Sequence, residues 1–547
     1  MIPPLPHALR EFVDTSAAAR KAHSGASGPF WVEPRGVVRP HRAEQVAELV
    51  AWASANAVPL IPRGAATGMP GGNVGPHLIL DLSGLEGTVS ADAEALTVTG
   101  PASATAAGMR EAAAKVGLSL PALPSSARWC TAGGMVACNA AGARSLRFGS
   151  AAQWLREARW VNHDGSSGHA TRYSATMATP GTTPGTIPDT ILDTTADPAP
   201  SAPRARATGP GGEIHANLVT RFAESLPWPA IAKNSSGYAL DRWLPSGHPL
   251  DLLAGSEGTL AVVTEVTFDL VPPDAVTRVM VLGLPDLTAL VEGSRLATQL
   301  SATSCEYFGR ALVELGGLGD DPRLTRLRSA GGMLLVELGG SVDQVESMCS
   351  ALRQWASDGG GFVEADSAEE RNALWALRHE ASPRIMRAVG TGLRSIQCIE
   401  DCVVPPRALG AYVGGVERIL SDARMPAVIF GHASQGNLHV NPLIDPDREG
   451  WRGQVDDVLE QTVSLVADLG GTLAGEHGDG RLRAPWLHRF FTPDVMDAFR
   501  AIKASCDPAG VLNPGVVLPE VGTDPMAGLG RAPQFSLGSQ GPEAGHR

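Results

Sequence analysis

Apolar positions recur in two rhythms along the first third of the chain. Between Ala43 and Asn56, Val46, Leu49, Val50 and Ala53 fall three and four residues apart, the spacing of one buried helix face. Val58–Ile61 is a short apolar run with strand character, and it opens into the glycine-rich stretch Pro62–Gly75. His77–Leu82 and Leu96–Gly100 read as further strands, and Ser103–Val116 as an alanine-rich helix stopped by Gly117. From Ala170 to Gly212 the rhythm is lost in Thr, Pro, Ala and Gly, which predicts an exposed insertion.

Order returns near Ile214. Leu260–Leu270, rich in Val and Thr, predicts a strand, and Pro272-Pro273 closes a unit. The strand at Met333–Leu338 and the helix at Ala368–Val389 predict a second α+β region from Thr277 to about Ala427. A helix at Val455–Leu469, a glycine-rich segment at Gly470–Gly480 and a helix at Pro493–Ser505 follow, with Thr492 as N-cap and Pro493 in the first turn. Met526–Arg547 reads as a tail, and no internal repeat is visible.

Composition narrows the function classes. A chain of 547 residues has room for two to four domains. Its formal net charge of -13 argues against a nucleic-acid or anionic-membrane binder, which needs basic patches. The start, MIPPLPHALREF, lacks the pattern of a signal peptide, and there is no integral membrane segment to expect, because no apolar run approaches ~18 residues. A cytoplasmic location is expected, and attachment at the inner membrane face is compatible with it. The cysteines, Cys130, Cys138, Cys305, Cys349, Cys398, Cys402 and Cys506, are odd in number and scattered, which predicts reduced thiols rather than an iron–sulfur cluster in this chain.

Candidate chemistry sits in glycine-rich segments. In Arg63-Gly64-Ala65-Ala66-Thr67-Gly68, small residues let backbone N–H groups approach a pyrophosphate, and Arg63 adds charge. It is neither a GxGxxG fingerprint nor a P-loop. Pro124-Ser125-Ser126 leads to Thr131–Gly134, with Gly133, Gly134, Asn139 and Gly142, a run suited to a flat ligand or to tight helix packing. Two further segments are Lys233–Tyr238 and Ala254–Glu265, the latter holding Glu257, Gly258 and Val263. Near the C-terminus, Phe430–His439 carries His432 and His439 on an expected strand–turn–strand, and Gly475–Gly480 sets Glu476 beside His477. Two imidazoles and a carboxylate form a plausible set for a divalent metal. Arg378, in Leu374–His379, suits a carboxylate clamp or a helix ion pair such as one with Glu370.

In this order the segments resemble the FAD-binding domain of the vanillyl-alcohol oxidase/para-cresol methylhydroxylase superfamily, and within it the FAD-linked D-lactate, glycolate and D-2-hydroxyglutarate dehydrogenases, over about Val37 to Pro519. The resemblance implies an α+β fold. Residues 1–33 would form an N-terminal helical extension. Residues 34–273 would form a vanillyl-alcohol-oxidase-type FAD-binding domain of two α+β subdomains, with a flexible insertion at about 170–212. Residues 274–470 would form an α+β substrate/cap domain, 471–520 a C-terminal segment returning to the flavin site, and 521–547 a disordered tail.

By the same resemblance, Arg63–Gly68, Pro124–Ser126, Gly133, Gly134, Asn139, Gly142, Glu257, Gly258, Val263 and Asn513 would hold FAD. The FAD would be non-covalent, since no His lies between His41 and His77. His432, His439 and Glu476 would bind a divalent metal, zinc by ligand type, and His477 would be the catalytic base. Arg378, Ser382 and Asn437 would meet the substrate. Ser434-Gln435 replaces the family's Gly-Asp, and the family's second cation before Asp401 is missing, which disfavours a dicarboxylate unless Arg387 or Arg394 substitutes.

The implied reaction oxidises a small D-2-hydroxy acid to the 2-oxo acid, with hydride passing to flavin N5. Electrons would leave to a quinone, a cytochrome or an electron-transfer flavoprotein, with any iron–sulfur centre on a separate subunit. A homodimer is compatible with this. The residues leave two alternatives open: a non-redox flavin transferase of the alkyl-glycerone-phosphate synthase type, and a flavin-dependent sugar or alcohol oxidase.

Overall fold

The computed structural model describes residues 3–172, 210–314, 322–327, 331–357, 359–365, 367–379, 381, 392–520, 522, 524, 528 and 529. Its strands fall into three sheets in chain order. The first holds β1 (Val13–Asp14), β2 (Gly36–Val38), β3 (Leu60–Arg63) and β4 (Leu78–Asp81) in the order β1-β2-β4-β3. The pairs β2–β4 and β3–β4 are parallel, so a crossover must join β2 to β3. The helix Ala43–Ala55 makes it, burying Val46, Leu49, Val50 and Ala53 as the spacing predicts.

The second sheet is antiparallel: β5 (Ser90–Asp92), β6 (Thr97–Pro101), β7 (Leu155–Val161), β8 (Ser167–Thr171) and β9 (Val262–Asp269), in the order β5-β6-β9-β7-β8. The two sheets share one core, in which Val38, Leu60 and Leu80 join Val98, Met135 and Phe268. The helix expected from Ser103 begins at Ala106 instead. Thr105 caps it by accepting from Gly108, while Ser103 bonds Leu85.

The third sheet is built from β10 (Val276–Leu284), β11 (Ser304–Gly309), β12 (Gly332–Gly340), β13 (Phe362–Ala365), β14 (Arg394–Ser395), β15 (Ala427–His432) and β16 (Asn437–Ile444), in the order β13-β10-β12-β11-β15-β16-β14. Four helices, Leu287–Gln299, Val342–Ser357, Leu409–Asp422 and Trp451–Asp468, cover one face with a shared apolar core. On the other face the helix Ala368–His379 packs Leu374 and Leu377 against Val281, Phe308 and Phe430. The expected extension of that helix to Val389 falls outside the described residues, as do 173–209 of the expected insertion.

The chain then returns to the first sheet. Helix Pro493–Cys506 packs beside Tyr238, Trp243 and Leu260, and residues 511–513 bond to the edge strand through Leu60. Thr492 occupies the N-cap position, but its side chain makes no capping bond. Leu529 lies in the stretch expected to be a tail, yet it is buried and pairs with Phe30. No helix among the described residues is long and apolar enough to cross a membrane.

Candidate active site

A cleft with about 1310 Å³ of non-protein space runs between the first two sheets. Gly64, Ala65, Ala66, Thr67 and Gly68 line it, with Pro124, Ser125, Ser126, Gly133, Gly134, Glu257, Gly258 and Val263. At its far end stand Glu476 and His477. Among the described residues, no backbone N–H from Gly64 to Asn73 donates to a protein acceptor. These donors are therefore left for a ligand. A Cβ on Gly64 would stand 2.3 Å from Thr131 Oγ1, so the loop can lie this close to the next segment only with glycine there.

Several expected contacts resolve differently. Arg63 lines the cleft as expected, but its guanidinium donates to the carbonyls of His23, Gly25 and Asn73 and so also staples the loop. Asn139 accepts from the Ala152 N–H, and a Cβ on Gly142 would strike the Leu123 carbonyl. Asn513 donates to the carbonyls of Gly72 and Glu257. None of these last three side chains lines the cleft. Their glycine-rich surroundings suggested ligand contact, whereas they brace the cleft wall.

The charged cluster comes from sheet register. Glu306 on β11 pairs across with His432 on β15, and Phe430 pairs with His439 on β16. His432 Nδ1 meets Glu306 Oε1 at 2.6 Å, and His439 Nδ1 meets the Glu400 carbonyl at 2.8 Å. Each ring thereby turns Nε2 toward Glu476 Oε1, at 2.9 Å and 3.4 Å. His477 Nε2 stands 3.7 Å from the same oxygen, and Lys233 Nζ holds the other Glu476 oxygen at 2.6 Å.

Burial works against charge throughout this cluster. His432 and Lys233 nonetheless hold Glu476 well below the usual carboxylate range. Burial also opposes the charged ring of His432, but Glu306 and Glu476 outweigh it and raise its pKa. For His439 burial wins and its pKa falls, which keeps that ring neutral. His477 is raised, because Asp401, Glu400 and Glu476 overcome burial.

Two imidazole nitrogens with their opposite nitrogens tied down, facing one carboxylate oxygen, form a donor set that fits a divalent ion. The donor atoms of Asp401, His439, Glu476 and His477 lie within 4.8 Å of one another, a grouping that does not include the expected ligand His432. The Asp401 carboxylate is already engaged, accepting from the Glu476 and His477 N–H groups and from Asn437 Nδ2. That makes it the weaker ligand candidate. Asn437 is fully buried behind this carboxylate and not in the cleft.

Arg378 donates from Nε to Glu306 Oε2 at 2.6 Å and lies over the Phe430 ring at 4.8 Å. Glu370 bonds Arg323 and Ser367 instead. Ser382 and Arg387 lie outside the described residues. Ser434 and Gln435 point away from the cluster, to the Ser294 carbonyl and to Ser145.

The sequence motifs assign no role to Glu306 or Glu400, and they name Lys233 and Asp401 without giving them one. A signal was present for Glu306, a lone carboxylate in the buried strand Ser304–Gly309, since such a group is retained only with partners.

Residues 34–170 match the FAD binding domain family, and residues 273–517 match the C-terminal domain of FAD linked oxidases. The chain is 27% identical over 500 residues to the D-lactate dehydrogenase of Archaeoglobus fulgidus, covering 90% of this chain and 94% of that protein. It is 25% identical to glycolate oxidase subunit GlcD of Bacillus subtilis, covering 92% and 93%. It is 26% identical to the D-2-hydroxyglutarate dehydrogenase of Xanthomonas citri pv. viticola, covering 88% and 89%. In fold it is similar to p-cresol methylhydroxylase, with a TM-score of 0.63 at 13% identity, covering 94% of this chain and 95% of that one. It is likewise similar to alkyldihydroxyacetonephosphate synthase, with a TM-score of 0.63 at 14% identity, covering 92% and 83%.

Proposed function

Starting from a chain that belongs to the FAD-linked oxidases, with the FAD-binding fold of the vanillyl-alcohol oxidase and p-cresol methylhydroxylase type, we propose that it oxidises a small D-2-hydroxy acid to the 2-oxo acid. The observation that carries this reading is that Glu476 and His477 line one end of the cleft while the buried His432 and His439 meet the same Glu476 oxygen from behind.

The fit of the cofactor rests on the free N–H groups of residues 64–73 and on the small residues facing them. No histidine stands in that loop, in keeping with non-covalent FAD. The bound flavin supplies the two-electron acceptor. His432, His439 and Glu476 would hold a divalent metal, zinc by ligand type, which lowers the pKa of a hydroxyl.

The remaining work belongs to the side chains. Arg378 has Nε committed to Glu306, which leaves its two terminal nitrogens for a carboxylate in a planar, two-point grip. His477 takes the hydroxyl proton on Nε2, as general base. Its pKa is raised by Asp401, Glu400 and Glu476 against burial, which keeps a proton on the ring once it is taken up. Glu400 and Asp401 face its Nδ1 at 3.5 and 3.9 Å.

The test is anaerobic stopped-flow mixing with D- and L-lactate, glycolate and D-2-hydroxyglutarate, following flavin absorbance. Bleaching by a D-acid and not by its L-enantiomer is expected. A flavin that stays oxidised with every acid would leave the non-redox transferase reading in its place.

A further inference from the structure

We infer that Glu306 is a positioning residue that ties the candidate carboxylate clamp to the candidate metal centre, so that binding at either one prepares the other. The inference rests on the reading of Arg378 and His432 given above.

Glu306 is wholly buried on β11, and both its oxygens are spent. Oε1 accepts from His432 Nδ1 at 2.6 Å, and Oε2 accepts from Arg378 Nε at 2.6 Å. The sheet fixes this geometry, because Glu306 and His432 are direct cross-strand partners. Arg378 has little freedom of its own, held between Glu306 and the Phe430 ring. Glu306 touches neither the cleft nor Glu476.

One rigid carboxylate therefore sets two directions at once. Toward β15 it fixes which His432 nitrogen faces Glu476. Toward helix Ala368–His379 it fixes which guanidinium nitrogens remain for a ligand. A carboxylate between an imidazole and a guanidinium also balances the charge that a bound cation adds on one side and a bound carboxylate removes on the other. Such coupling is reciprocal: whatever a cation does for carboxylate affinity, a carboxylate does for cation affinity.

The experiment uses the FAD-loaded full chain, its Glu306→Gln variant and its Arg378→Met variant. Zinc affinity is read by competition with a chromophoric chelator. Oxalate affinity is read from the flavin difference spectrum, with zinc present and after chelator stripping. Glu306→Gln is expected to lose about tenfold in zinc affinity, the usual cost of removing a carboxylate behind a ligand imidazole. It should also bind oxalate several-fold more weakly in the stripped protein, where no metal contributes. Arg378→Met should lower zinc affinity several-fold although Arg378 is no ligand. This variant decides the matter if the Gln variant does not fold.

Wild-type zinc and oxalate affinities in Glu306→Gln, or wild-type zinc affinity in Arg378→Met, would overturn the bridge. A parent protein that binds neither zinc nor oxalate would instead bring down the reading of the site on which the bridge stands.

Discussion

The two glycine-rich loops that meet at the cleft use their backbones in opposite ways. Residues 64–73 direct no backbone N–H to a protein acceptor, whereas residues 474–482 direct every one. In the second loop, Ser236 Oγ takes Ala474, the Asp401 carbonyl takes Gly475, and the Asp401 carboxylate takes both Glu476 and His477. Ser235 takes Gly478, Glu257 takes Asp479 and Gly480, and the Pro70 carbonyl takes Arg481 and Leu482. The first loop is built to be completed by something else; the second is complete and offers only side chains. The difference teaches that glycine richness alone does not say which chemistry a loop performs. In the first, glycine permits close approach of a ligand. In the second, Gly478 and Gly480 hold positive φ so that the chain can wrap around Glu257 and Pro70.

If the second loop is a finished mount for one base, changing that base alone should cost the most. His477→Gln is expected to slow flavin reduction by about 10²–10⁴-fold, with FAD affinity unchanged. Single-turnover stopped-flow and a FAD titration check the pair. A variant that reduces its flavin at the parent rate would show that another group takes the proton. Removing the mount itself comes next. Arg483 is fully buried, bonds the Gly478 carbonyl and Glu400, and lies 3.5 Å from Asp401. Arg483→Leu would leave two buried carboxylates without their arginine, with His477 and a few N–H donors as their remaining partners, and should cost about 3–5 kcal/mol in chemical denaturation. A loss below 1 kcal/mol would mean that the loop stands without its arginine.

The sequence carried the two loops with unequal clarity. Helix 43–55 and the β15–β16 hairpin were legible because their signals are local, a 3.6-residue period and a glycine turn between apolar runs. Small residues lining the cleft were legible for the same reason, since smallness is a property of the residue itself. Arg63, Asn437 and Asn513 were not, because what a polar side chain does depends on partners far along the chain. The carbonyls that hold Arg63 lie 10–40 residues away, and those that hold Asn513 lie 256 and 441 residues away. His432, His439 and Glu476 meet only because the return of residues 471–480 brings a carboxylate back to the neighbouring strands β15 and β16. The motifs mark those residues as notable, but the distances between them belong to the tertiary fold.

The first loop sharpens the comparison at lower cost. Gly64→Ala would press a methyl group on Thr131, an overpacking of about 1–3 kcal/mol. Because the backbone N–H groups of residues 64–73 have no protein acceptor and only the loop's carbonyls are bonded, the cost should fall mainly on FAD affinity, about tenfold or more, and less on the melting temperature of the cofactor-free protein. Fluorescence titration and thermal unfolding separate the two. An equal drop in apo-protein stability would show that this loop, like the other, belongs to the protein's own framework.

The effect that depends on pH lies where the loops touch. Burial raises the pKa of Glu257 to about 8, and the neighbouring Asp479 adds repulsion, against the pull of the Asp479 and Gly480 N–H groups. A folded pKa above the ordinary carboxylate value means that the folded chain holds this proton more tightly than the unfolded chain does. Its contribution to stability is therefore fully present below pH 4.5 and is lost as the pH rises toward about 8. Glu257→Gln keeps an acceptor for the loop N–H groups and removes the titration. It should leave the urea midpoint near that of the parent at pH 4.5 and raise stability by several kcal/mol at pH 8.5, at about 1.4 kcal/mol for each pH unit by which the fold raises this pKa. A difference between the two proteins that does not change with pH would mean that Glu257 is ionised in the fold throughout. Its N–H donors would then be outweighing burial, and the second loop would be held by a full negative charge and not by a shared proton.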